Sequence, residues 1–123
     1  MITNKPAQII EILKSMKSDN PDIEALAVVS LDGLPIASLL PSDAEEDRVA
    51  ALSATILALG ERTSEELNKG LLEQAYVKGE SGYIITTGIK NLAALMVVTN
   101  KDAKLGMALY SIKKGIQEIE KIL

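Results

Sequence analysis

Asp43, Glu45, Glu46 and Asp47 form the densest set of side chains in the sequence that could bind a cation or move a proton. Little stands ready to help them. The 123 residues include no His and no Cys. That removes imidazole bases, thiol nucleophiles, disulfides and the usual zinc ligands. An enzyme built on this chain would have to work with carboxylates or lysines alone. The cluster also has a plain structural role. Ser42 precedes Glu45 by three residues, the spacing of a capping box, in which hydroxyl and carboxylate satisfy the first orphan amides of a helix. Acidic residues in a first turn are favoured by the helix dipole. The four carboxylates therefore read as a helix start. No catalytic residue, metal or cofactor is expected.

The elements around this start follow from periodicity and turn chemistry. Asn4 and Pro6 open a helix whose apolar face is Ile9, Ile10, Leu13 and Met16, and Ser18-Asp19-Asn20-Pro21 ends it. Ala25 to Ser30 is nearly all apolar, as in a strand covered on both faces. Asp32-Gly33 then predicts a two-residue hairpin turn with positive φ at both central positions. The returning strand, Leu34 to Leu39, contains Pro35 and so belongs at a sheet edge. A second helix is predicted over Glu45 to Asn68 with Gly70 just past its end. Three strands follow, at Leu72 to Lys78, Tyr83 to Thr87 and Leu92 to Thr99, joined by short Gly-containing turns as an antiparallel meander. A third helix runs from Asp102 to Leu123 with Asn100 as its cap, striped by Leu105, Leu109, Ile112, Ile116, Ile119 and Leu123. The whole is one α+β domain over residues 1–123, in the order α-β-β-α-β-β-β-α.

Composition bounds the partners. The net charge of −4 supplies no basic field for nucleic acid, and an aromatic content of 2% leaves few stacking platforms. No run approaches the ~20 apolar residues that span a bilayer, and Met1-Ile2-Thr3-Asn4-Lys5-Pro6 has no leader character. A cytoplasmic location without membrane insertion is expected.

The second helix carries most of the functional signal. At ~100° per residue, Val49, Leu52, Ile56, Leu59, Thr63 and Leu67 fall on one face, predicted to pack on the sheet. Ser53, Leu57, Gly60 and Ser64 lie beside it as a seam of small residues where a second helix could approach. Ala51, Ala54 and Ala58 lie opposite, with Glu61, Arg62 and Glu65. This outward face is either solvated or a flat docking surface edged with charge. The proline-free strand Leu72 to Lys78 is predicted at the other sheet edge, where pairing with a second copy would join two sheets and two second helices.

Three segments stand in a distinctive order: Val28-Val29-Ser30-Leu31-Asp32-Gly33-Leu34-Pro35-Ile36-Ala37, the helix from Ala50-Ala51-Leu52-Ser53-Ala54 through Gly60-Glu61-Arg62, and Gly79-Glu80-Ser81-Gly82-Tyr83-Ile84-Ile85 with Leu92-Ala93-Ala94-Leu95-Met96-Val97-Val98. Together they resemble the roadblock family, which includes roadblock-type dynein light chains and prokaryotic regulators of Ras-like GTPases. The resemblance implies a five-stranded sheet in the order 2-1-5-4-3, with helix two on one face and helices one and three on the other. It implies a homodimer joined through strand three and helix two, and a small Ras-like GTPase bound on the paired second helices. Carried onto this chain, the dimer seam is Ser53, Leu57 and Gly60 with Glu73, Ala75 and Val77 of the strand. The partner platform is Ala51, Ala54, Ala58, Arg62 and Glu65. Arg62 sits on a helix rather than a mobile loop, so an i,i+3 pair with Glu65 is expected of it rather than a catalytic finger. Regulation is expected to act by reshaping the GTPase's switch loops. Two other readings stand beside this one: a small-molecule sensor, using Gln74, Tyr83 and Thr86, and a purely structural subunit of a larger complex.

Overall fold

The first helix opens as Asn4 dictates: its Oδ1 accepts from the amide of Ala7 at 3.1 Å, and Pro6 sits in the first turn. The computed structural model describes residues 4–123 and has the element order expected. The elements are α1 (Lys5–Asp19), β1 (Ile23–Ser30), β2 (Pro35–Leu39), α2 (Glu46–Glu66), β3 (Ala75–Gly79), β4 (Gly82–Ile89), β5 (Ala93–Thr99) and α3 (Leu105–Glu120). Met1-Ile2-Thr3, part of the stretch read above as lacking leader character, lies outside the described residues.

The five strands form one antiparallel sheet in the order β2-β1-β5-β4-β3. β1 and β5 lie in its middle and are almost entirely buried, which explains their unbroken apolar runs. Pro35 begins an edge strand, where its missing donor costs nothing. Strand alternation divides the side chains between two layers. Leu26, Val28, Ile85, Leu95 and Val97 face α1 and α3, where they meet Ile9, Leu13, Ile112 and Ile119. Ala27, Val29 and Ala94 face α2, where they meet Ala50 and Leu57.

Several ends differ from the sequence expectation. The capping box does not form: Glu45 is the N-cap without a side-chain bond, and the Ser38 hydroxyl instead donates to Glu46. At the other end of α2, Asn68 rather than Gly70 takes the left-handed position, with φ of 60°. The amides of Asn68 and Lys69 bond back to Glu65 and Ser64, a Schellman ending, and Gly70 (φ 84°) redirects the chain two residues later. β3 starts at Ala75, so Leu72, Glu73 and Gln74 precede the strand. Asn100 does not cap α3. Its side chain bonds Asp22 and the amide of Asp102, tying the loop before α3 to the start of β1.

The turns also exchange roles. In the β1–β2 hairpin only Gly33 has positive φ, and Leu31-Asp32-Gly33 form a three-residue loop closed by Gly33 N to Ser30 O at 3.0 Å. The turn with two positive φ values is Lys90-Asn91, between β4 and β5. At the β3–β4 hairpin, Gly82 (φ 146°) passes so near β5 that a Cβ on it would stand 2.0 Å from the carbonyl oxygen of Thr99.

Candidate protein-interaction surface

The small residues beneath α2 decide how it sits. Ala27 and Ala94 present little side chain, and Gly88 lies under Leu57. Such a floor accepts a helix at close range through small side chains. α2 accordingly buries Ala50, Ser53 and Leu57. Ser53 is satisfied there, its hydroxyl donating to Val49 O at 2.9 Å and lying 3.2 Å from Met96 Sδ. The helix is thus turned by about one residue, ~100°, from the orientation read off the wheel. The bulky stripe expected in the core looks outward: Leu52, Leu59 and Leu67 are exposed, and Val49 and Ile56 are half-buried.

This rotation redistributes the residues assigned to a dimer seam. Ser53 and Leu57 are 0% and 4% exposed and lie against their own sheet; Ser53 reaches no surface, and Leu57 shows only in the floor of a small cleft. Gly60 is explained within the chain as well, since a Cβ on it would stand 2.9 Å from Leu72 Cδ2 and 3.2 Å from Ala75 Cβ. Gly60→Leu should therefore lower the stability of the fold itself, by roughly 1–3 kcal/mol. Urea unfolding of the variant checks this, and an unchanged midpoint would refute the packing role. Glu73 lies before β3, exposed. Ala75 is half-buried beside Gly60, and Val77 is exposed on β3.

The apolar surface that the rotation exposes is broader than the expected seam. Ile56, Leu59, Thr63 and Leu67 of α2 and Tyr76 and Val77 of β3 line one groove of about 460 Å³. Soluble monomers rarely leave so many large apolar side chains contiguous and open, and such patches mark interaction sites. The wheel had identified the α2 stripe but placed it in the core. The signal that distinguishes the two positions is the sheet, whose Ala and Gly residues let the helix approach so closely that its own contacting side chains must be few and mostly small.

The opposite flank of α2 holds the residues assigned to a partner. Ala51 and Ala58 are exposed and Ala54 is half-buried, with Glu65 exposed further along. The β1–β2 turn lies against this flank, where a Cβ on Gly33 would stand 3.5 Å from Ala51 Cα and 3.7 Å from Ala54 Cβ. Arg62 pairs with Glu66 at 3.4 Å, one residue beyond the Glu65 expected. Both side chains are largely exposed, so the pair contributes at most a few tenths of a kcal/mol, about 0.3–0.5.

The chemical candidates do not assemble. Glu45 pairs with Arg48 at 3.6 Å and Glu46 accepts from Ser38. Among the described residues no group of three carboxylates could hold a metal ion. Gln74, Tyr83 and Thr86 do not converge either. Tyr83 and Thr86 are three apart on β4 and so point to opposite faces, with Thr86 wholly buried opposite Ala75. No described helix is long and apolar enough to cross a membrane.

Comparison with known proteins agrees with the fold. Protein MJ1340 of Methanocaldococcus jannaschii is 32% identical over 98 residues, covering 80% of this chain and 85% of its own. In three dimensions the chain is similar to Myxococcus xanthus MglB, with a TM-score of 0.87 at 19% identity over 99% of this chain and 92% of that one. It is likewise similar to the gliding protein MglB from Thermus thermophilus, with a TM-score of 0.84 at 17% identity over 99% and 93%. Residues 11–100 match the Roadblock/LC7 domain, and the chain belongs to that family.

Proposed function

We propose that the protein is a non-catalytic regulator or adaptor that works as a symmetric homodimer and holds a small Ras-like GTPase on its paired α2 helices. The observation that carries the reading is the open apolar groove along α2 and β3. β3 is a sheet edge, and its unpaired backbone groups run beside the groove. A two-fold pairing there would satisfy the edge and cover Leu52, Leu59, Tyr76 and Val77 at once. It would leave the alanine flank of each α2 uncovered, on the side of the helix away from the seam. The class of partner rests on the family resemblance, and the dimer rests on the groove.

Mass in solution tests both, first for the protein alone and then with a Ras-like GTPase from the same organism loaded with GDP or with a non-hydrolysable GTP analogue. A dimer that gains mass with one nucleotide form supports a regulator that reads the switch. A dimer indifferent to both forms supports a structural subunit instead. Ala54→Glu should keep the dimer and weaken GTPase binding at least tenfold. Undiminished affinity in that variant would remove the alanine flank from the platform.

A further inference from the structure

The two ends of the sheet carry connections of opposite character. At one end the links are polar: Asn20-Pro21-Asp22, Pro41-Ser42-Asp43, Glu80-Ser81 and Asn100-Lys101-Asp102. At the other end every link between consecutive elements exposes a leucine. Leu31 and Leu34 flank the β1–β2 turn, Leu71 lies between α2 and β3, and Leu92 closes the β4–β5 turn. Leu71 is 90% exposed.

Leu31 and Leu71 line a cleft of about 230 Å³ over Leu57 and Gly88, with Glu61 among its lining residues. Leu57 is buried and Glu61 is exposed, so the cleft has an apolar floor and a carboxylate at its rim. Lys90 borders the same cleft, but its Nζ donates to the carbonyl oxygen of Glu120 at 3.3 Å. None of the ion pairs formed among the described residues includes Glu61. The volume is below the ~300 Å³ at which small-molecule sites begin, and it is of the order of one long side chain. Glu61 shares the helical flank of Ala54, Ala58 and Glu65, so the cleft opens beside the surface proposed for the GTPase.

Alanines offer one methyl each and give that surface no anchor. Binding energy concentrates in a few large side chains seated in pockets, with Trp, Tyr and Arg foremost. Of these, arginine alone combines an apolar stem with a cation that forks onto a carboxylate. We propose that the bound GTPase inserts one arginine here, its stem against Leu31 and Leu71 and its guanidinium paired with Glu61. This inference rests on the platform reading given above.

The test uses the Ras-like GTPase that adds mass to the wild-type dimer, titrated against Ala54→Glu, Glu61→Gln and Leu71→Ser. Positions 61 and 71 are exposed, so these variants should fold and dimerise as wild type, and their masses verify it. All three should bind at least tenfold more weakly. Glu61→Arg should abolish binding, and one Arg→Glu substitution on the GTPase surface should restore it. If Ala54→Glu loses binding while Glu61→Gln and Leu71→Ser keep it, the cleft is outside the footprint and the inference fails while the platform stands. Loss with Leu71→Ser alone means an uncharged anchor, and loss with Glu61→Gln alone means a surface ion pair; either overturns the inserted arginine. If no variant loses binding, or no GTPase adds mass to the wild-type dimer, the platform reading fails and the inference falls with it.

Discussion

A chain carrying Leu59→Glu and Val77→Glu should sediment as a 13.2 kDa monomer, whereas the homodimer proposed for the wild type should sediment at twice that mass. Both side chains line the groove between α2 and β3 and both are exposed in the single chain, so neither substitution disturbs its core. In a two-fold interface each change acts twice, once in each copy. Every leucine covered on pairing contributes about 1.5–3 kcal/mol. A carboxylate in its place loses that contribution and must also be desolvated. Four such carboxylates at one interface exceed what an ordinary dimer can absorb. Analytical ultracentrifugation decides the matter, and a double variant that still sediments as a dimer would place the contact elsewhere.

The second large effect concerns the fold. Gly82→Ala should destabilise the protein by on the order of 3 kcal/mol, combining a backbone that side chains rarely adopt with a direct overlap. The φ of 146° and the 2.0 Å approach to the Thr99 carbonyl oxygen act at the same residue. Backbone on both sides fixes the distance, because Gly82 pairs with Gly79 across the hairpin and the next amide, that of Tyr83, donates to Thr99 Oγ1 at 3.0 Å. A loss of that size should lower the melting temperature by about 10 °C or more in a chain of this length. Gly106→Ala is the control, since a Cβ there meets nothing within 4 Å. It should be neutral or mildly stabilising through helix propensity. Equal melting temperatures for the two variants would rule out the close approach at Gly82.

Local signals translated unevenly. Asn4 caps α1, Pro35 sits at an edge and the apolar run of β5 is central. The Ser42–Glu45 capping box, the two-residue Asp32-Gly33 turn, the Gly70 helix end and the Asn100 cap did not form, because each yielded to a competing contact or turn nearby. The strand order came from the family resemblance rather than from periodicity, which cannot say which strands adjoin. The rotation of α2 escaped the helix wheel for a different reason. A wheel reports which residues share a face, and α2 has an apolar arc wide enough for two neighbours. Choosing which half meets the sheet requires Ala27, Gly88 and Ala94, which lie far away in sequence and whose smallness matters only once the strands are assembled. The same omission put Ser53 and Leu57, both buried against their own sheet, in the expected seam, and put Leu52 and Leu59, both exposed, in the expected core. The cleft at Glu61 was out of reach for a similar reason, because its walls come from four separate segments.

The small residues beneath α2 also bear on when the helix stays in place. It is held to its own sheet by Ala50, Ser53 and Leu57, whereas α1 and α3 bury Ile9, Leu13, Met16, Ile112 and Ile119. Fewer buried apolar contacts mean a lower free energy of local opening. In a single copy α2 should be the first helix to detach, and its amide hydrogens should exchange sooner than those of β1 and β5. Covering Leu52 and Leu59 with a second copy would add the contacts that its own sheet does not provide. Association and helix ordering would then be linked by mass action, so that exchange from α2 slows as the protein is concentrated, and exchange from the central strands, which requires global unfolding, slows with it.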